Sequence, residues 1–273
     1  MKKTFAAAGR LALAVTFTLA AVPAAAVDLV PHRAVYAMRL ATAKSASGIS
    51  AADGVMTYQF ADTCDGWTVE NSTVINFVYN EGGQVATTWD FLTWESKDGK
   101  RYRFRVRSTR DGQVVEQVDG TASLNGGNGG KATFTQPEAL TLKLPKGTMF
   151  PTHHTEQLLK VAEAAGKVGG RMFARAVFDG SGPDGLFDVS AMLGRPIVAS
   201  SPGAKPDSDL LKTLSWRVQM AFFPVESKDI FPEYEVGLRY HVNGVAQDVV
   251  QDFGDFSLKA TLRELERLPR PEC

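Results

Sequence analysis

Few side chains in this chain of 273 residues have the means to do chemistry: Cys64 and Cys273, four histidines, and Asp179, Asp184 and Asp188 around the turn Gly180-Ser181-Gly182. Each suggests a reaction, and spacing rejects most of them. The glycines stand next to Ser181 instead of two positions away, so the sharp elbow that exposes a hydrolase nucleophile cannot form, and Ser181 reads as a turn residue. A calcium loop beginning at Asp179 would need a glutamate where Ser190 stands. Gly126 to Lys131 has the glycine density of a phosphate cradle. However, Asn125 and Ala132 occupy the positions where that motif needs Gly and Ser or Thr, so a hairpin loop is expected. His153 and His154 are adjacent at the start of a predicted helix and point about 100° apart, which denies zinc a pair on one face. One of them is expected to face the interior with a hydrogen-bond partner; His241 lies in a strand pattern, and His32 near the start of the mature chain. No catalytic residue, cofactor or metal ligand is assigned, and the chain is expected not to be an enzyme.

The cysteines depend on where the chain goes. Lys2, Lys3 and Arg10 precede an apolar run from Leu11 to Val22 that ends in Ala24, Ala25 and Ala26. This reads as a secretory signal peptide over residues 1–26, cleaved after Ala26; Pro23 and the small residues disfavour an uncleaved anchor helix. There is no twin-arginine pair and no cysteine near the cut. Export by the general secretory pathway without a lipid anchor is therefore expected. Outside the cytoplasm thiols oxidise, and Cys64 and Cys273 are predicted to pair, fastening the C-terminus to a segment near the start of the mature chain. Closing so long a loop is worth up to about 5 kcal/mol. The alternatives are a redox-active pair, which would favour a Cys-x-x-Cys spacing absent here, and two free buried thiols.

Composition removes whole classes of function. Thirty basic residues against thirty acidic, with 44% hydrophobic residues, exclude a disordered chain and a polybasic nucleic-acid binder, and two cysteines are too few for a small disulfide scaffold. Losing Lys2, Lys3 and Arg10 with the leader leaves a slight excess of acids, so nucleic acid and anionic bilayers are not expected partners. No stretch beyond the N-terminus reaches the roughly 20 apolar residues of a membrane helix.

The elements that must position these residues are mostly strands. Tyr102, Phe104 and Val106 alternate with Arg101, Arg103, Arg105 and Arg107, giving one apolar and one cationic face. The same period recurs in Tyr36-Leu40, Met56-Phe60, Val85-Phe91, Leu140-Leu144, Met172-Phe178 (Met172, Ala174, Ala176, Phe178) and Trp216-Met220. Asp98-Gly99, Asp111-Gly112, Asp119-Gly120 and Asn243-Gly244 supply hairpin turn chemistry. One helix is predicted near 152–165, capped by Thr152, with Glu156 in its first turn and Leu158, Leu159, Ala162 and Ala165 on one stripe. The tail is expected to be a strand to about Leu262 and then a turn of helix before Pro269. Ala41-Asp53, Asn125-Gly130 and Ala199-Asp209 are expected to be surface loops. The fold class is thus mainly β: a curved antiparallel sheet over residues 27–273, in one domain, with a single helix near its centre.

Particular stretches carry a resemblance. Thr63-Cys64-Asp65-Gly66-Trp67-Thr68-Val69-Glu70-Asn71, Phe150-Pro151-Thr152-His153-His154-Thr155, Phe178-Asp179-Gly180-Ser181-Gly182 with Asp184-Gly185-Leu186, and Leu262 to Pro269 before Cys273 together resemble the envelope integrity protein B family of alphaproteobacterial periplasmic proteins. The resemblance implies a spiral, half-barrel sheet around a helix, similar to carriers of lipoproteins, closed by a disulfide at Cys64 and Cys273. It also implies a periplasmic, non-enzymatic role in envelope maintenance. A curved sheet lined by aromatics has apolar surface enough for an acyl chain or a segment of another protein. Trp89, Phe91, Tyr102, Phe104, Trp216, Phe222 and Phe223 are candidates for that concave face, against the alternative that they are plain core. The expected partners are envelope proteins or lipid, and the arginine row is either a site for anionic headgroups or a solvated face. Two other functions stand beside this one: a lipid or lipoprotein carrier between membranes, and a secreted hydrolase.

Overall fold

The computed structural model describes residues 27–198, 206, 208–225, 227 and 229–273; the expected signal peptide and most of the expected loop from Ala199 to Asp209 lie outside the described residues. The chain forms β1 (His32–Ala43), β2 (Ile49–Asp62), β3 (Gly66–Tyr79), β4 (Gln84–Ser96), β5 (Arg101–Arg110), β6 (Gln113–Leu124), β7 (Gly130–Gln136) and β8 (Leu140–Leu144). Helix α1 (Pro151–Ala164) follows, and then β9 (Arg171–Phe178), β10 (Leu186–Ile197), β11 (Ser215–Pro224), β12 (Tyr234–His241), β13 (Ala246–Asp252) and β14 (Phe256–Arg267).

All 14 strands make one antiparallel sheet, in the order β8-β7-β6-β5-β4-β3-β2-β1-β14-β13-β12-β11-β10-β9. The first and last strands pair in its middle, so two meandering arms curl away from a common seam, and α1 connects their outer edges. The edges nearly meet. Met149, just after β8, bridges Val177 of β9, with Met149 N–H donating to Ala176 O at 2.9 Å and Phe178 N–H to Met149 O at 3.1 Å.

Alternation decides which face each strand buries. In β5, Tyr102, Phe104 and Val106 are buried while Arg101, Arg103, Arg105 and Arg107 face water. In β9 the expected row is only partly buried. Phe178 is buried, but Met172 and Ala174 are exposed, and Phe173 and Val177 of the other register are buried instead, with Arg175 exposed and lying over the Phe173 ring. Asp119-Gly120 is not a turn but lies inside β6. The ring of Phe104 rests on Gly120 so closely that a Cβ there would stand 2.5 Å from Phe104 Cζ. The expected loop from Ala41 is short, because β1 runs to Ala43 and β2 starts at Ile49. The expected helical turn at the tail is also absent: β14 stays extended to Arg267 because it is hydrogen-bonded to β1 as far as His32. Its helical repeat of leucines loses to that pairing.

Helix α1 fills the interior. Leu158, Leu159 and Ala162 are buried on one stripe, and Pro151 supplies a first-turn φ without a hydrogen-bond donor to satisfy. Two apolar clusters result. The larger joins α1 to β1–β3 and β9–β14 through Tyr36, Trp216, Leu238 and Leu262. The smaller packs Tyr102, Phe104, Phe134, Phe150 and Phe178, and so ties β5–β8 to the start of the second arm.

Candidate functional site

The most concentrated chemistry lies where the N-terminus of α1 meets the inner face of β4 and β5. Thr152 does not cap the helix through its side chain, as expected from sequence; the N-cap position is Phe150, which offers no oxygen. The cap comes from across the sheet. Glu95, buried on β4, accepts from Thr152 N–H at 2.7 Å and from His153 N–H at 2.9 Å, giving two orphaned helix donors one carboxylate. Burial raises its pKa to about 7, although both N–H donors pull the other way. The expected first-turn acid, Glu156, stands a turn further on, 3.5 Å from His153 Nδ1.

Beside this cap lies a cavity of about 210 Å³ walled by His32, Tyr58, Phe60, Phe91, Tyr102 and Tyr240, with Pro151, Thr152 and Thr155 of α1 closing one side. Tyr102 is fixed by its hydroxyl, which donates to Asp179 O at 2.7 Å. His32 pairs its Nδ1 with Val30 O at 2.7 Å, while its buried Nε2 has no partner. Burial holds this imidazole below its ordinary value.

The rim near this cavity is tied by the cysteines. Cys64, in the turn between β2 and β3, is joined through sulfur to Cys273 across 209 positions, with Cα atoms 5.8 Å apart. Around them Lys97 bridges Asp62 at 2.9 Å and lies 3.0 Å over the Trp67 ring, which stacks on Phe60 of the cavity wall. The tail holds the first residues of the domain: Arg270 pairs with Asp28 and donates to Leu29 O at 3.0 Å.

The candidate aromatics separate. Phe91 and Tyr102 line the cavity together. Phe104 packs against Phe134 and Phe178 in the smaller cluster, with Trp89 at its border. Trp216 is buried in the larger cluster, and Phe222 stacks on Tyr234 with ring centroids 4.3 Å apart. Phe223 is half-buried on the other face of β11. Arg105 pairs with Asp119 at 2.7 Å, and Arg101 and Arg103 lie over Trp94, so part of the cationic row is already partnered on the outer face. Ser181 sits in a turn, its N–H donating to Asp179 Oδ1 at 2.8 Å. Among the described residues no group of three His, Cys, Asp or Glu side chains is placed to hold a metal. His154 faces the interior as expected of one of the adjacent pair, 5.3 Å from the Phe173 ring, but its Nε2 lacks the partner that was expected. His241 is satisfied at both nitrogens, by Thr213 and Gln247.

Sequence reasoning missed Glu95 and gave His32 no place in a site. Glu95 carried one available signal: on β4 it continues the inward parity of Trp89, Phe91 and Thr93, and a carboxylate on a buried face demands donors.

A family model described as EipB-like matches residues 23–269. The chain belongs to the EipB-like family. It is 34% identical over 258 residues to the cell envelope integrity protein EipB of Brucella abortus strain 2308, covering 92% of this chain and 88% of that protein. A crystal structure of a β-barrel-like protein of a domain of unknown function, DUF1849, from Brucella abortus superposes with a TM-score of 0.81 at 32% identity, covering 89% of this chain and 99% of that one. The expected fold class, a mainly β, curved antiparallel sheet around one helix, is thus borne out by the structure and by a β-barrel-like neighbour. Among the described residues no helix is long and apolar enough to cross a membrane, which says nothing of membrane-crossing strands.

Proposed function

We propose that this protein is a non-enzymatic factor of the bacterial envelope that preserves envelope integrity by holding an apolar ligand, or an apolar segment of a partner, inside its curved sheet. The observation that carries this reading is the cavity between α1 and the inner face of β1–β5, in a chain whose EipB relative is named for cell envelope integrity. Residues 1–26 serve as the signal peptide, cut after Ala26, and residues 27–273 work as one periplasmic domain fastened by Cys64 and Cys273. The absence of catalytic spacing around Ser181 supports a binding role over hydrolysis.

Carriage of a lipid or lipoprotein between membranes is the second reading, and the cavity disfavours a cargo of several acyl chains. At about 210 Å³ it is smaller than the roughly 300–1,000 Å³ that drug-sized ligands fill, and several acyl chains need more. Deleting the gene and challenging cells with detergent and wall-active antibiotics tests the envelope role: increased sensitivity, reversed by the wild-type gene, is expected, and unchanged sensitivity overturns it. Native mass spectrometry of protein released from the periplasm separates the two readings. A small apolar adduct or none agrees with the first, and a bound multi-chain lipid with the second.

A further inference from the structure

The two outer strands of the sheet, β8 and β9, are not equally open. On β9 outward groups are already used: Met149 takes Ala176 O and Phe178 N–H, and Ala174 O accepts from Arg175 Nη1. On β8 the ladder itself shows which groups are spare. Leu124 N–H on β6 donates to Lys100 O, away from β7, so alternation turns Thr121 and Ser123 toward Thr133 and Lys131 of β7. Ala132 and Phe134 then bond Leu142 and Leu140, and Thr141 and Lys143 point their N–H and C=O groups off the edge. Both residues are exposed, and these four groups have no partner among the described residues.

Each face of that edge adds a requirement. Beside its inner face lies a groove of about 240 Å³, walled by Leu140 and Leu142 of β8 and by Leu186, Pro224 and Val225 at the ends of β10 and β11; Asp184 is the one charged residue lining it. On the outer face Lys143 stands directly opposite Lys131, and the row continues through Ser123 to Arg101. Like charges directly opposite each other destabilise a sheet, and neither lysine meets an acid among the described residues. A second copy is the poorer occupant. Two β8 edges laid together would add a second pair of lysines to the first, and a lysine on an edge strand guards against such self-pairing.

We propose that β8 accepts an antiparallel strand from a partner protein, an extended segment in which apolar residues alternate with acidic ones. Its residues opposite Thr141 and Lys143 exchange both backbone hydrogen bonds with them and turn acidic side chains toward Lys143 and Lys131, while the residues between enter the apolar groove. This edge is separate from the cavity beside α1, and its use does not depend on what that cavity holds.

Three peptides test it on the oxidised mature protein: acetyl-Thr-Val-Glu-Val-Glu-Val-Thr-amide, the same peptide with lysine for both glutamates, and the glutamate peptide N-methylated at both glutamates. The first is expected to bind about tenfold tighter than the lysine peptide and to weaken as salt rises. N-methylation should abolish binding, because it removes the two N–H groups aimed at β8. The backbone amides of Thr141 and Lys143 should shift downfield and exchange more slowly when the glutamate peptide is bound. Thr141→Pro loses only an outward N–H, keeps the ladder to β7, and should block binding. Lys131→Glu combined with Lys143→Glu, both at exposed positions, should reverse the preference between the two charged peptides, and it decides the matter should the proline variant fail to fold. Equal binding of the glutamate and lysine peptides overturns the choice of an acidic partner. Binding that survives both N-methylation and Thr141→Pro overturns strand addition, and failure of every peptide to bind overturns the site. A dimer of the protein alone that Thr141→Pro abolishes assigns the edge to a second copy and overturns the proposed occupant.

Discussion

Around Phe104, rings touch rings: Phe134 lies 5.2 Å and Phe178 5.4 Å away, Tyr102 stacks on Phe150 at 4.9 Å, and Gly120 and Gly180 are pressed against the same aromatics. Around α1 the larger cluster is looser in kind. It borders the cavity, and this side of the molecule holds every buried side-chain nitrogen without a partner among the described residues, on His32, His154, Trp216 and Arg239. The smaller cluster closes the sheet by bringing its two arms together. The larger one keeps unspent hydrogen-bonding capacity and, with Tyr102 of the smaller one, bounds the cavity, which is what a binding interior needs and a purely structural core avoids.

Opening the disulfide should break this contrast first and furthest. Cys64 and Cys273 tie the rim of the cavity side, and removing a link across 209 positions should lower the unfolding free energy by about 5 kcal/mol, read from denaturant midpoints with and without reductant. Amide exchange should accelerate at 27–31 and 268–273 while Phe134 and Leu144 in the smaller cluster stay protected. Equal loosening of both clusters would mean that they do not behave as separate units.

Glycine replacements sharpen the contrast at the level of single atoms. Gly180, at φ +77°, would place a Cβ 2.6 Å from Phe104 Cγ, in a ring fixed on several sides. Gly180→Ala should cost about 3 kcal/mol. Gly244 borders the cavity at φ +86°, and its Cβ would meet the movable end of Leu29 at 2.8 Å. Gly244→Ala should cost about 1 kcal/mol, mostly backbone strain. Equal losses in thermal unfolding would show that the cavity side is packed as tightly as the aromatic side.

The two regions also differ in how much of them was legible. The smaller cluster is written in strict alternation: Tyr102, Phe104 and Val106 between arginines leave β5 only one way to face. Where both registers carry apolar residues, as in Met172 to Phe178, period alone cannot choose, and in β9 Phe178 of the expected row is buried together with Phe173 and Val177 of the other. The leucine repeat at the end of β14 misled for a related reason, since pairing with β1 overrides a local helical preference. The cavity was least legible. Glu95 is 57 positions from the helix N–H that it caps, and His32 meets Tyr58 only because β1 pairs with β2, so neither role leaves a local pattern. The cysteine pair was an easier inference, because export and an even count left few alternatives.

Acid should expose the unspent polarity of the larger region in the smallest net effect of all, because two buried groups oppose each other. Glu95 has its pKa raised from 4.5 to about 7 by burial, so between those values the folded protein holds a proton that the unfolded chain has released, and stability rises as pH falls. His154 has its pKa lowered from 6.5 to about 4, again chiefly by burial, so through that window the unfolded chain gains a proton that the folded protein refuses, and stability falls as pH falls. Asp179, raised to about 6, adds to the first side; His32 and His241, both lowered, add to the second. Between about pH 6.5 and pH 5 the Glu95 and His154 slopes oppose each other at about 2 kcal/mol apiece, and wild-type stability should be nearly flat. Each variant removes one arm of the balance. Glu95→Gln, which keeps one acceptor for the helix, should become less stable by about 2 kcal/mol on acidification across this range, while His154→Leu should become more stable by a similar amount. Denaturant unfolding at the two pH values measures both. A shift of the same sign in both variants would mean that these groups do not titrate from the buried interior in which the structure places them.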